Sequence, residues 1–408
     1  MPHPPVSSKK ASHFRIWLAL SLAAAILAFP GPAEAYDVWS WLKARVDGNA
    51  AETIESDEHA FTVEEVTNGL ESPWSMAFIP DGRIFVVERP GRIRIIEEGR
   101  MLDEPLTGAP EVFYAGQGGL LDIALHPEFE NNRLIYLAYS VSNEQGQATR
   151  VSRYTLTEQG LTDEEVVFPG FFVDDNRYKH FGCRIVFGED GMLYVTLGER
   201  GLKEQAQELD SLLGKTLRLT DTGDIPEDNP FVDTEDARPE IFTYGNRNSQ
   251  GLDVQPGTGL LFASEHGPSW SDAPGGGDEV NIYEAGKNYG WPVIHHRETR
   301  EGMVSPLLEY TPAIAPSGAC FYDGEAFPEW RGSFFFANLV GKNIVRVALN
   351  GREVLGQEFL LEDAFGRLRD VEQGPHGHLY VLTSNTDAYG PGDPQGDRLL
   401  RLVPAREN

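Results

Sequence analysis

His180 lies in the string Tyr178-Lys179-His180-Phe181-Gly182-Cys183-Arg184, and it comes with the company that chemistry requires. An imidazole is suited to taking a proton from an alcohol near neutral pH, provided a second group holds it in place. A lone histidine is more often structural or simply exposed. Here a carboxylate that could orient it, Glu199, follows in Leu197-Gly198-Glu199-Arg200-Gly201. Farther along, arginines gather in short loop-like motifs, Arg247 in Gly245-Asn246-Arg247-Asn248 and Arg367 and Arg369 in Arg367-Leu368-Arg369-Asp370-Val371. Taken one at a time, each arginine is as well read as a partner for a surface acid.

The elements that must position these groups start after a leader. Lys9, Lys10 and Arg15 precede an apolar run over residues 16–29, and Ala33-Glu34-Ala35 supplies small residues where a signal peptidase reads. The sequence predicts a signal peptide over 1–35, a flexible N-terminal extension over 36–60 and one domain over 61–408. The apolar run is short for a membrane span, and no later stretch approaches the roughly 20 residues a span needs; a retained N-terminal anchor is the alternative. The expectation is an exported, soluble chain, periplasmic or secreted, without stable membrane insertion after processing. Formal net charge is −29, and removing 1–35 makes it two units more negative. That balance opposes binding to nucleic acid or anionic lipid and says nothing about fold. Cys183 and Cys320 are the only cysteines, too few for a disulfide scaffold, and either a bond between them or two buried thiols is compatible with the sequence.

A unit of alternating apolar residues, a Pro/Asp/Gly turn and a β-rich run recurs about six times. It stands at 75–87, 123–137, 185–195, 252–263, 320–336 and 371–382. Period-2 strands broken by such turns indicate all-β structure, and a recurring hairpin unit indicates blades around an axis. The prediction is a six-bladed β-propeller with long inter-strand loops, closed by pairing 398–403 with an N-terminal strand near 61–66. Residues 203–213 could add one short helix. Two packed sandwiches explain the repeats less well.

These residues resemble the soluble pyrroloquinoline quinone (PQQ) dependent sugar dehydrogenases, especially the periplasmic aldose branch, from about Gly69 to Val403. The resemblance is carried by Gly69-Leu70-Glu71-Ser72-Pro73-Trp74, Gly116-Gln117-Gly118-Gly119-Leu120-Leu121, the His180 and Arg247 strings, Glu265-His266-Gly267-Pro268, Gly277-Asp278-Glu279-Val280-Asn281, Gly286-Lys287-Asn288-Tyr289-Gly290-Trp291-Pro292 and the Arg367 string. Their shared order is specific where any one is weak. The resemblance implies a six-bladed propeller whose cofactor sits at one end of the central channel.

It also implies roles. PQQ is a planar quinone with three carboxylates, and guanidinium groups bind carboxylates through paired hydrogen bonds. Arg247, Arg367 and Arg369 would hold it, with Gln117 and Asn248 adding polar contacts. Calcium would be bound by main-chain carbonyls of Gly267 and Pro268, with a further calcium position using Glu279 and Tyr289. His180 would take the anomeric proton of an aldose while hydride passes to the quinone, giving a lactone, with Arg247 stabilising the developing charge and Glu199 orienting the base. That acid is usually Asp in the soluble glucose enzymes. No Cys-x-x-Cys-His motif occurs, so electrons would leave to an external acceptor, a quinone or a periplasmic carrier. Departures from the family pattern are Cys183, Cys320, a lysine position that Lys342 misses, and a lengthened loop over 269–277 whose Trp270 could line the substrate mouth or anchor the loop. A calcium-dependent propeller lactonase or hydrolase would need side-chain ligands converging on a metal with an open water position, and would have no use for three arginines. A non-catalytic binding propeller would be indifferent to PQQ.

Overall fold

In the computed structural model, residues 53–174, 176–269 and 272–405 are described; residues 1–35, Trp270 and most of 36–60 therefore lie outside the described residues. The alternating segments form strands because each buries every second side chain against the next sheet. Five four-stranded antiparallel sheets and one five-stranded sheet make six blades. The first blade runs Pro73–Phe78, Ile84–Glu88, Arg92–Glu97 and Arg100–Met101, and the third runs Ile185–Phe187, Leu193–Leu197, Lys215–Leu219 and Ile241–Tyr244. The first strand of each blade packs against the first strand of the next, and Leu368–Gln373 of the sixth returns to Pro73–Phe78 of the first. The result is a propeller around a central channel.

The sixth blade closes the ring as expected. Ala60–Leu70 pairs antiparallel with Asp397–Pro404, with Phe61 opposite Pro404 and Val63 opposite Leu402. One boundary differs from the expected extension over 36–60. Ile54–Glu55 adds an outer strand to this blade, Glu58 pairs with Arg346 at 2.8 Å, and His59 meets Glu329 at 2.8 Å. A two-residue strand is too short to carry a period-2 signal. Residues 203–213 supply only the 3₁₀ turn Lys203–Ala206.

Apolar side chains fill the spaces between blades. In the fifth and sixth, Phe61, Tyr322, Phe327, Trp330 and Phe335 form one aromatic cluster, with Phe327 stacked on Trp330 at 4.3 Å. Burying a side chain such as Phe335 is worth roughly 1.5–3 kcal/mol, so this cluster holds Ala60–Leu70, the latch strand of the ring, in place. Cys183 and Cys320 are both buried thiols and are not joined.

The channel itself is polar. Arg184 fills its middle, donating to Asp122 at 3.1 Å, to Asp370 at 2.9 Å and to the carbonyl of Gln250 at 3.2 Å, with its guanidinium over the Trp74 ring. Gly318 is required there, since a Cβ would stand 1.7 Å from Asp370 Oδ1 and 2.5 Å from Arg184 Nη2.

Candidate active site

His180 lies in the loop that leads into the third blade, with four residues between it and the first strand, and its backbone is fixed before its ring is. Its φ of 52° is the left-handed conformation that non-glycine residues adopt at a cost. The His180 amide donates to Gln117 Oε1 at 2.7 Å, and the Gly182 amide to Asn248 Oδ1 at 3.2 Å. Gly198 lets the two chains meet, because a Cβ there would lie 2.1 Å from the His180 carbonyl oxygen. The two amide side chains thus spend their oxygens on the histidine segment. Their NH₂ groups keep no partner among the described residues, so what they offer a ligand is a donor.

Glu199 stands beside the His180 ring. Its Oε2 lies 2.8 Å from His180 Nδ1 and also accepts the Gly201 amide. The pair is buried, His180 at 7 % exposure and Glu199 at 1 %. A carboxylate on Nδ1 fixes the tautomer with its proton there, leaving Nε2 as the proton acceptor. Burial holds the imidazole below its usual pKa, Glu199 pulls the other way, and Arg247 adds to the lowering. Burial pushes Glu199 up, but His180 and Arg247 more than offset it and the carboxylate is held below its ordinary range. The histidine is therefore neutral and its partner charged at neutral pH, the state a general base needs.

Arg247 enters from the loop before Ser249–Val254. It lies over the Trp291 ring at 5.3 Å, donates to Asp272 Oδ2 at 2.7 Å and to the His266 carbonyl at 3.3 Å, and its Nε has no partner among the described residues. Arg369 donates to Gln250 Oε1 at 2.9 Å and Ser317 Oγ at 3.2 Å, and its Nε is likewise unmet. Arg367 donates to the Ser384 carbonyl at 3.1 Å and shares Asp387 with Arg369, at 3.2 and 3.4 Å. Burial, with Arg367, Arg89 and Arg184 nearby, brings Arg369 down to about 10 even though Asp387 opposes it. His266 ties the two halves together. Burial first, then Arg247, His180 and Arg369, keep it neutral, and its Nε2 is buried without a partner among the described residues.

The structure thus brings His180, Glu199, Gln117, Arg247, Asn248, Arg367 and Arg369 into one electrostatic neighbourhood. It treats the proposed calcium residues unevenly. Gly267 is pinned through its amide to Asp278 Oδ1 at 2.8 Å, while its carbonyl and that of Pro268 accept no hydrogen bond from the described residues. The Tyr289 hydroxyl is engaged by its own blade, donating to the Ile282 carbonyl and accepting the Glu284 amide. Glu279 accepts from Asn281 Nδ2 at 2.9 Å, and burial followed by the charge of Glu265 pushes its carboxyl well up. Among the described residues, no three His, Cys, Asp or Glu side chains cluster to hold a metal. Lys342 pairs on the surface with Asp363.

Four residues of this site were not singled out from sequence. His266 stands inside a quoted motif, next to Gly267. Arg89 follows the buried strand Ile84–Glu88, and its Nη2 donates to the carbonyls of Gly116 and Gly118, on either side of Gln117. Asp272 and Asp387 are the carboxylates that occupy the arginines.

Residues 70–390 match the model of the family described as Glucose / Sorbosone dehydrogenase. The chain belongs to this family. Among its relatives, the aldose sugar dehydrogenase YliI of Escherichia coli is 39% identical over 359 residues, spanning 84% of this chain and 92% of that one. The structure of the soluble aldose sugar dehydrogenase from Escherichia coli in its apo form superposes with a TM-score of 0.76 at 37% identity, over 85% of this chain and 100% of that one. The PQQ-bound aldose sugar dehydrogenase of Streptomyces coelicolor gives 0.71 at 32% identity, over 87% of this chain and 99% of that one. Family membership and fold agree with the expectations drawn from the residues.

Proposed function

We propose that this family member is a PQQ- and calcium-dependent dehydrogenase that oxidises aldoses at the anomeric carbon to lactones. The observation that carries the reading is a pair of buried arginine donors, Nε of Arg247 and Nε of Arg369, that have no partner among the described residues. Leaving a buried donor unpaired costs about 1–3 kcal/mol, and a flat trianion is a ligand that would recover it. Arg247, Arg367 and Arg369 would hold its carboxylates, and the amide nitrogens of Gln117 and Asn248 would add neutral contacts. The main-chain carbonyls of Gly267 and Pro268 are hard oxygen donors suited to calcium; the engaged Tyr289 hydroxyl makes Glu279 the better supported of the two further candidates.

PQQ, when bound, supplies the hydride acceptor. The chain's own residues do the rest. His180 Nε2 takes the proton of the anomeric hydroxyl, and Glu199 at 2.8 Å stabilises the imidazolium that results. Arg247 supplies fixed positive charge in a water-poor site, worth on the order of 3 kcal/mol for a well-aimed donor. Electrons then pass to an external acceptor, a quinone or a soluble carrier. A lactonase reading finds no converging side-chain metal ligands among the described residues to support it.

The test is reconstitution. Recombinant apoprotein given PQQ and calcium should bleach an artificial dye when an aldose is added, and neither component alone should suffice. A protein whose melting temperature ignores PQQ and which leaves the dye unreduced with every aldose is not this enzyme.

A further inference from the structure

We propose that Tyr114 and Tyr389 form a saccharide subsite on the rim of the mouth, taking the non-reacting sugar residues of an aldose oligosaccharide. The proposal deepens the dehydrogenase reading and rests on it for the direction in which substrate enters. Most large apolar and aromatic side chains of the described residues are buried, but Tyr114 is 50% exposed and Tyr389 52%. They are far apart in sequence and both lie near one buried residue. The Arg89 guanidinium lies 5.3 Å from the Tyr114 ring centre, and Asp387 and Tyr389 stand within its electrostatic reach.

Both rings are anchored to the site. Arg89 is 5% exposed and grips the Gly116 and Gly118 carbonyls, so the loop carrying Tyr114 is held against Gln117, which in turn holds the His180 amide. On the other side, the Tyr389 amide donates to Asp387 Oδ1 at 2.8 Å, and Asp387 Oδ2 receives Arg367 and Arg369. Each tyrosine is thus fixed within a few residues of the machinery while about half of it is exposed.

The chemistry selects the occupant. Oxidation at the anomeric carbon needs the reducing end at His180, so any further sugar residues must leave through the mouth, past these rings. A tyrosine offers an apolar face for the C–H surface of a pyranose and a hydroxyl for its polar edge. A neutral glycan also suits a chain of net charge −29, which would repel a polyanionic one.

The test compares the wild type with the double variant Tyr114→Ala/Tyr389→Ala and with Tyr114→Trp, each reconstituted with PQQ and calcium and checked for an unchanged melting temperature. Two probes separate the questions: KM for maltotriose against glucose, and the calorimetric Kd for maltotriitol, whose reduced end cannot be oxidised at an anomeric carbon. The double variant should raise both maltotriose KM and maltotriitol Kd about ten-fold, with kcat and glucose KM unchanged, and the Trp variant should keep wild-type values. Unchanged maltotriose KM, an equal rise for glucose, or a wild type that does not bind maltotriitol overturns the subsite. If no aldose is oxidised yet maltotriitol binding still falls in the double variant, the subsite stands and the dehydrogenase reading falls; oxidation of glucose with maltotriose handled alike by all three proteins gives the reverse.

Discussion

Arg184 and Arg247 are buried to similar degrees, 4% and 2% exposed, yet their guanidinium groups are used differently. In mid-channel, Arg184 spends Nε on a carbonyl and its two terminal nitrogens on two carboxylates that are themselves at most 2% exposed in their side chains. At the mouth, Arg247 meets one carboxylate that keeps 20% of its side chain in solvent, and its Nε meets no described residue. A satisfied buried charge is part of the scaffold, because removing one partner strands the other. An arginine kept partly unsatisfied beside a neutral imidazole is poised for a ligand. The same residue type is thus saturated in one place and left with an open donor in another, and the difference lies in what each donor has already been given.

That contrast can be broken experimentally. The largest effect should come from His180→Ala, with kcat lower by about 10²–10⁴ and PQQ affinity in a fluorescence titration nearly unchanged; full turnover would remove His180 as the base. Next, Arg184→Met should cost about 3–5 kcal/mol in denaturant unfolding by stranding Asp122 and Asp370. Wild-type stability in that variant would erase the distinction between mid-channel and mouth. Arg247→Ala should weaken PQQ binding and slow turnover together by about 100-fold, equivalent to roughly 3 kcal/mol, while stability falls less than in Arg184→Met because Asp272 can be rehydrated. A stability loss larger than the cofactor effect would make Arg247 a second scaffold arginine.

The smallest effect sharpens the His180–Glu199 pair. On the proposed reading His180 works unprotonated, so kcat/KM should fall as pH drops through its lowered pKa. Glu199 is the charge that raises that pKa against burial. In Glu199→Gln the acid limb should therefore move to lower pH, by about one unit, while the plateau declines because the imidazolium loses its counter-charge. A limb displaced to higher pH would exclude Glu199 as the orienting acid.

The blades were readable because their signal is local. Alternation with a turn at 75–87 or 185–195 needs no distant partner, and the apolar run over 398–403 announces a strand in need of one. His180 and Glu199 were found through residue types joined to a family pattern, and the 2.8 Å contact between them follows from the strand–loop geometry of the third blade. Arg89 and Asp387 escaped notice because their meaning is non-local: one anchors a loop around Gln117 and the other serves arginines some twenty residues earlier. Lys215 shows the same limit. Its sequence context reads as an ordinary strand charge, yet its ammonium is wholly buried on the carbonyls of Gln205, Ala206 and Leu213, and burial lowers it to about 7.

The latch has a consequence for how the molecule is made. Phe61 waits for Pro404 and Leu70 for Asp397, so the earliest long strand of the ring has its partner only after the other five blades have been made. Contacts that distant in sequence form slowly, and until they do the nascent ring stays an open horseshoe with raw strand edges at both tips. Ending the chain before Asp397 would delete the strand joining Ala60–Leu70 to Leu379–Thr383, leaving two sticky borders where the finished molecule has none.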